Sequence, residues 1–393
     1  MSAFVRVSGP ANENFVIGYP GVDATKARIV GTVEIRPRDG VTAPVLISRV
    51  DISLRRRNSI NRTVDSLFQL PTARRDTTHP VCHELLLFKC AAGRESEPVY
   101  LMDLPFVLFL PNGHDTPPAS LQLEKRAAET YYELVVTVQQ PVTDMRRNEF
   151  LFDVPIRRYN TLSSFGMYNN PKTGEETADH LVKLSVNLPR WSYGPADPVS
   201  VYVQLTPNPD WLVRARKVKV QSITVSIVEE TTYDRGDEAK LYSKDLARQE
   251  HQVKANLSDA GYSTNLGLVF PEKKLRDSDG LLPRSQRKFP MYAVSGFTTI
   301  TDLYRIDYYL SVKAKLSSSR DIVLRMPIDV CPFDRTRCRE ELDAISQSVK
   351  EAEAVDIARP RAPPPTIIRA DDPSGLLALG FAMVGSEKRP FIN

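Results

Sequence analysis

The residue types that most often carry catalysis or bind metal are sparse in this chain. Its five histidines are His79, His83, His114, His180 and His251. Only His79 and His83 are close, and His83-Glu84 has no second histidine at the spacing that aims two imidazoles at one zinc. The four cysteines, Cys82, Cys90, Cys331 and Cys338, form two pairs spaced eight and seven positions apart. Neither has the short spacing that closes a tetrahedral zinc site. A mixed set of His79, Cys82, His83 and Cys90 can be drawn, but loop histidines beside core thiols are the simpler reading. No glycine-rich phosphate loop and no nucleophile elbow occurs. The sequence therefore predicts no catalytic residue, no metal and no cofactor.

Arginine is the side chain with chemistry to offer. Its planar fork suits phosphate and carboxylate. Arg55, Arg56 and Arg57 follow a strand ending at Leu54, and Arg74, Arg75, Arg146 and Arg147 sit near other strand ends of the same half, as do Arg157 and Arg158. Gathered on one concave face, the first seven would receive an acidic or phosphorylated peptide. The alternative is that they only charge and solvate sheet edges. In the second half, Arg214, Arg216, Lys217 and Lys219 read as a basic strand face, and Lys273, Lys274 and Arg276 as a basic loop. These suit an anionic leaflet, where each charge contributes about 1 kcal/mol, so several must act together. Basic and acidic residues number 52 and 48, for a net charge of +4, which excludes the strongly basic signature of a dedicated nucleic-acid binder.

The elements that must position these groups are strands. Hydrophobic content is 41% and charged content 25%, which suits a globular chain, and 30 prolines with 18 glycines cut it into short segments. Most segments alternate with period two. Ile306, Tyr308, Leu310, Val312, Ala314 and Leu316 share one face, and Ile322, Leu324, Met326, Ile328 and Val330 another. Val182 to Leu188, Val199 to Leu205, Ile29 to Ile35, Val50 to Leu54, Leu134 to Val138 and Phe150 to Ile156 read likewise. Many one-sided strands without intervening helices imply antiparallel sandwiches or barrels. The exception is 335–355, where Leu342, Ile345 and Val349 recur at helical steps. A polar, turn-rich segment between Arg158 and Asp179 has no strand pattern and marks a boundary. The expected organisation is 1–165, 178–334, and a helix with a proline-rich tail over 335–393. No apolar run of 18 residues and no signal-peptide pattern is visible, so a reducing cytoplasm is expected and the sequons at Asn61 and Asn256 are read as chance.

The order of short motifs adds a resemblance. The first half carries Val50-Asp51-Ile52-Ser53-Leu54, Phe106-Val107-Leu108-Phe109-Leu110-Pro111, Pro117-Pro118-Ala119-Ser120 and Tyr131 to Val138. The second carries Val186-Asn187-Leu188-Pro189-Arg190-Trp191-Ser192-Tyr193-Gly194-Pro195, then Glu229-Glu230-Thr231-Thr232-Tyr233, Asp307 to Lys315 and Met326 to Val330. Over roughly 1–333 this resembles the arrestins, most of all the fungal α-arrestin-like adaptors. One departure is visible: the family's Pro-Gly after the tyrosine is here Gly194-Pro195.

The resemblance implies an all-β protein of two tandem immunoglobulin-like sandwiches. It also implies a non-enzymatic adaptor that binds cytoplasmic tails of receptors or transporters at the plasma membrane or endosomes, with ubiquitin ligase or coat proteins as further partners. The PPxY motif by which α-arrestins recruit ligases is absent; Phe289-Pro290-Met291-Tyr292 is the nearest stretch. In the tail, Leu376, Leu377, Leu379 and Phe381 resemble a clathrin-box element that lacks its acidic residue, and this patch is expected to dock on a partner or on a sheet edge of the first half. Two other readings are a structural subunit of a sorting coat, like the retromer arrestin-like subunit, and a lipid-binding sandwich.

Overall fold

The computed structural model describes residues 3–9, 15–38, 43–61, 74–123, 127–141, 147–163, 166–234, 239–271, 296–355, 362–384 and 387–390. The first half is built from β1 (Ala3–Ser8), β2 (Val16–Ile17), β3 (Arg28–Pro37), β4 (Val45–Ile47), β5 (Arg49–Asn61), β6 (Arg74–Pro80), β7 (Leu85–Lys89), β8 (Glu97–Phe109), β9 (Leu121–Gln122), β10 (Ala128–Gln139) and β11 (Arg147–Asp153). The second half holds β12 (Lys172–Ala178), β13 (Val182–Leu188), β14 (Ser192–Tyr193), β15 (Pro198–Pro207), the one-turn helix α1 (Leu212–Ala215), β16 (Lys219–Asp234), β17 (Ala239–Asn256), β18 (Tyr262–Val269), β19 (Thr299–Ile300), β20 (Tyr304–Ser317) and β21 (Ile322–Val330). Helix α2 (Arg335–Glu353), β22 (Thr366–Arg369), helix α3 (Pro373–Ala378), β23 (Phe381–Val384) and β24 (Glu387–Pro390) follow.

Two sheets face each other in each half. In the first, β1-β3-β8-β22 packs against β11-β10-β5-β6. The alternating residues meet between them: Val5, Ile29, Val33 and Ile35 from one sheet, Ile52, Leu54, Leu134 and Val136 from the other. In the second, β12-β13-β15-β18 packs against β14-β21-β20-β16-β17, and the facing rows Val186, Val201 and Val203 meet Val225, Leu310 and Val312. The chain is therefore all-β, as the period-two pattern requires.

Two strands serve both cores. Along one face of β5, Ile52 and Leu54 lie in the first core and Ile60 in the second, with Arg56 and Asn58 between them. Along β10, Leu134 and Tyr132 lie in the first core and Ala128 in the second, with Thr130 between. The period-two stripe simply continues past the polar pair.

Helix α2 sits across the junction. Asp334 caps it by accepting the Arg337 amide at 2.8 Å. Its buried Cys338 and Ile345, with Leu342 and Val349, cluster with Val22, Tyr159 and Leu162 of the first half and with Cys331 and Phe333 at the end of β21. Tyr159 stacks on Phe333 at 5.3 Å, and Lys26 Nζ donates to the Val355 carbonyl at 2.9 Å. The departure at Gly194 has a steric cause: a Cβ there would lie 1.8 Å from the Phe333 carbonyl oxygen.

Three expectations are corrected. The polar segment before residue 179 contains β12, paired with β13 from Lys172↔Leu188 to Ala178↔Val182. It is an edge strand with mostly solvated side chains, so no apolar alternation marks it. Arg214 lies in α1, and Arg216 and Lys217 follow it in a turn; only Lys219 is in a strand. Asn208-Pro209-Asp210 starts this turn, with Asn208 Oδ1 accepting the Asp210 amide. Finally, the tail segment that adds to the first half is Thr366–Arg369 and not the apolar patch after it: α3 and the β23–β24 hairpin take up that patch.

Candidate functional site

The six described arginines of the first-half cluster do share one sheet, five of them on β5 and β6 and Arg147 on β11. Arg55, Arg56 and Arg57 lie on β5 opposite Pro80, His79 and Thr78 of β6, while Arg75 and Arg74 lie opposite Ile60 and Asn61. The sequence run is nevertheless split, because neighbours on a strand point to opposite faces. Arg55 and Arg57 share the outer face. Arg56 points the other way, to the junction.

Each of those on β5 and β6 has acidic company. Arg55 forms a two-pronged pair with Glu149 at 2.9 and 2.8 Å. That hydrogen bonding raises the Arg55 pKa and lowers that of Glu149. Arg57 stands 3.9 Å from Asp76 and 4.0 Å from Glu133, over the ring of Tyr131. Arg74 pairs with Asp76 at 2.7 Å. Arg75 reaches across to Asp234 of β16, at 3.5 Å from its carboxylate and 3.2 Å from its carbonyl. Partly exposed pairs of this kind contribute roughly 0–1 kcal/mol each, so they are easily exchanged. Arg147 opens β11, and Arg146, Lys273 and Lys274 lie outside the described residues. Arg157 lines a cleft of about 660 Å3 between β2 and α2, and Arg158 is half-buried and lines a small cavity with Asp329.

The junction contains a polar network that sequence reasoning did not find. Thr130 Oγ1 donates to Asn58 Oδ1 at 2.9 Å and is 2.7 Å from the Tyr304 hydroxyl. With the Thr130 proton committed to Asn58, Tyr304 must donate to Thr130. Asn58 Nδ2 donates in turn to Asp302, which also holds His79 Nε2 at 3.0 Å and faces Arg56 at 3.9 Å. Burial pushes the Asp302 carboxyl up, but the side chains of Thr77, His79 and Asn58 around it outweigh this and hold it below its usual range. The network therefore ties β5, β6 and β10 of the first half to the loop before β20. The only sequence signal was the polar interruption at Arg56 and Asn58 in an otherwise apolar stripe.

In the second half, Arg216 is paired with Asp259. Arg214 lies over the ring of Trp211 at 5.0 Å, and Trp211 and Val213 are exposed beside it. In the tail, Leu376 is 1% exposed and so is closed to a partner, whereas Leu377 is 60% exposed and Leu379 half-buried. Phe381 opens β23. Among the described residues no cluster of three histidine, cysteine or carboxylate side chains is placed to hold a metal, and no helix is long and apolar enough to cross a membrane.

Comparison with known families bears on the second sandwich. Residues 178–333 match the family model "Arrestin (or S-antigen), C-terminal domain". This supports the arrestin superfamily. The matched stretch spans β13 to β21, and so includes Asp302, Tyr304 and Arg190. No curated protein matches the chain.

Proposed function

We propose that the chain is a non-enzymatic, arrestin-like adaptor in the cytoplasm that docks on acidic or phosphorylated tails of receptors or transporters. The observation that carries this is the β5–β6 arginine row. Its counter-charges are carboxylates, and a phosphate dianion is a stronger partner for an arginine fork than a carboxylate. Arg56 and Arg75 take theirs from the second half, so cargo that captured them would trade contacts between the halves for contacts with itself. Contact with an anionic leaflet is supported by Trp211 and Val213, exposed next to Arg214 and Lys217. A ubiquitin ligase or coat protein would be reached through folded surfaces, since no PPxY occurs in the sequence. Fungal α-arrestin-like kinship belongs to the same proposal.

The test is affinity capture from a membrane lysate, with and without phosphatase treatment. Integral-membrane proteins should be recovered, and recovery should fall with phosphatase and with Arg55, Arg56 and Arg57 replaced by alanine. Recovery that ignores both would remove the arginine row from the reading, and recovery of no membrane protein would remove the adaptor itself.

A further inference from the structure

A second group of arginines lies away from the β5–β6 row and was not singled out by sequence. Arg335 and Arg339 are one helical turn apart on α2, so they share a face. Both are exposed, and among the described residues neither makes a hydrogen bond or ion pair. They line a cleft of about 370 Å3 together with Arg190, Ser163, Asn169 and Ser200. That volume lies within the usual range for small-molecule sites, roughly 300–1,000 Å3.

The arrangement is electrostatically unfavourable as it stands. Like charges four residues apart repel. They also occupy the start of a helix, where the dipole favours anions, and beyond the capping Asp334 the first turn of α2 has no acidic residue. Arg190 is held rigidly: its side chain is 17% exposed, 3.3 Å from Asp197 Oδ2, and packed over the Tyr193 ring at 5.1 Å. Asp197 cancels one of the three positive charges and leaves two. The second, independent sign is Ser163. It is 1% exposed and lines the cleft, and its hydroxyl, set against the Cys338 thiol, has no well-directed hydrogen bond among the described residues. A buried hydroxyl left unpaired is costly, and such atoms in native folds call for an explanation.

We infer that this cleft, between α2, the linker and the start of β15, is a phosphomonoester-binding site, in which Arg335 and Arg339 supply the charge and Ser163 a buried donor. The site does not rest on the adaptor reading. Its ligand is either a free phosphorylated metabolite or the headgroup of a phosphomonoester lipid.

The experiment is calorimetric titration of the full chain with inorganic pyrophosphate. Arg335→Gln/Arg339→Gln should weaken binding on the order of tenfold or more. Lys244→Gln/Lys315→Gln removes the same net charge at exposed positions outside the cleft and should leave it unchanged. Ser163→Ala should weaken binding severalfold while the thermal midpoint stays level or rises, which a purely structural hydroxyl would not do. Absence of binding to the wild type at millimolar pyrophosphate, or equal loss in the two double variants, would overturn the site. Co-sedimentation with phosphatidylcholine vesicles carrying phosphatidic acid separates the sources. Loss of sedimentation in Arg335→Gln/Arg339→Gln alone assigns a lipid headgroup, whereas pyrophosphate binding without sedimentation assigns a free metabolite.

Discussion

Asp302 is the residue at which the two halves are most directly tied, since Asn58, His79 and Arg56 all converge on it. Its carboxyl is held below the ordinary range, so its contribution has a definite pH dependence. A carboxylate whose folded pKa lies under its unfolded value, about 3.9, stabilises the fold above that value and loses the contribution as pH falls through the folded pKa. Asp302→Asn removes the charge at constant volume. It should cost about 1–2 kcal/mol at neutral pH, discounted from the usual charged hydrogen bonds because the group is partly exposed. Urea titrations should show the gap between wild type and variant closing below about pH 4. Equal gaps in acid and at neutral pH would mean that the charge has no role. None of this was legible in the sequence. Arginines can be counted along a chain, but their counter-ions Asp302 and Asp234 lie far away in it. The run of three at Arg55 was misleading for the same reason, since period two sends Arg56 to a different face from its neighbours.

At the scale of elements, legibility followed burial contrast. The helix read from Leu342, Ile345 and Val349 is present as α2, because one apolar stripe on a charged helix has a clear period. The interior strands were legible for the same reason; burial in β3 and β21 alternates residue by residue. β12 and the long β17 were not, because both are edge strands whose side chains are mostly solvated. Their pairing comes from backbone hydrogen bonds to β13 and β16, which leave no mark on side-chain type. The position of α2 makes a prediction of its own. Ile345 is 4% exposed in the cluster that joins the helix to both halves. Ile345→Ala should cost about 2–4 kcal/mol. If α2 is a clasp on an independently packed body, hydrogen exchange should quicken across 338–353 while β20 stays protected. Uniform quickening would instead make α2 part of the second core.

At the scale of the whole molecule, the chain closes on itself. It builds one sandwich, then the other, lays α2 over their junction, and returns to the first sandwich as β22. There Thr366, Ile367 and Ile368 pair with Asp103, Met102 and Leu101 of β8, and Ile367 packs on the first core. Arg369 pairs at 2.6 Å with Glu97, a carboxylate side chain only 6% exposed. The sequence had pointed to the tail as a strand donor but to the wrong part of it. Thr-Ile-Ile-Arg is too short to show a period, and its partner edge is more than 250 positions away. Ending the chain at residue 361 tests the closure. It should leave the four-stranded packing of β3, β5, β8 and β10 intact, since what is lost is an edge strand with Ile367, its ion pair and the α3 turn that follows. The amides of 99–103 should then exchange faster, because an edge strand left bare has no partner for its outward N–H groups. Arg369→Gln should show a weaker version of the same change, as Glu97 would keep the Ala91 amide at 3.3 Å as its remaining donor. Unchanged exchange over 99–103 in the shortened chain would show that β22 does not dock on β8 in solution. Faster exchange confined to that edge would make β8 a surface that this chain covers with its own tail, and that an extended peptide of another protein must compete for.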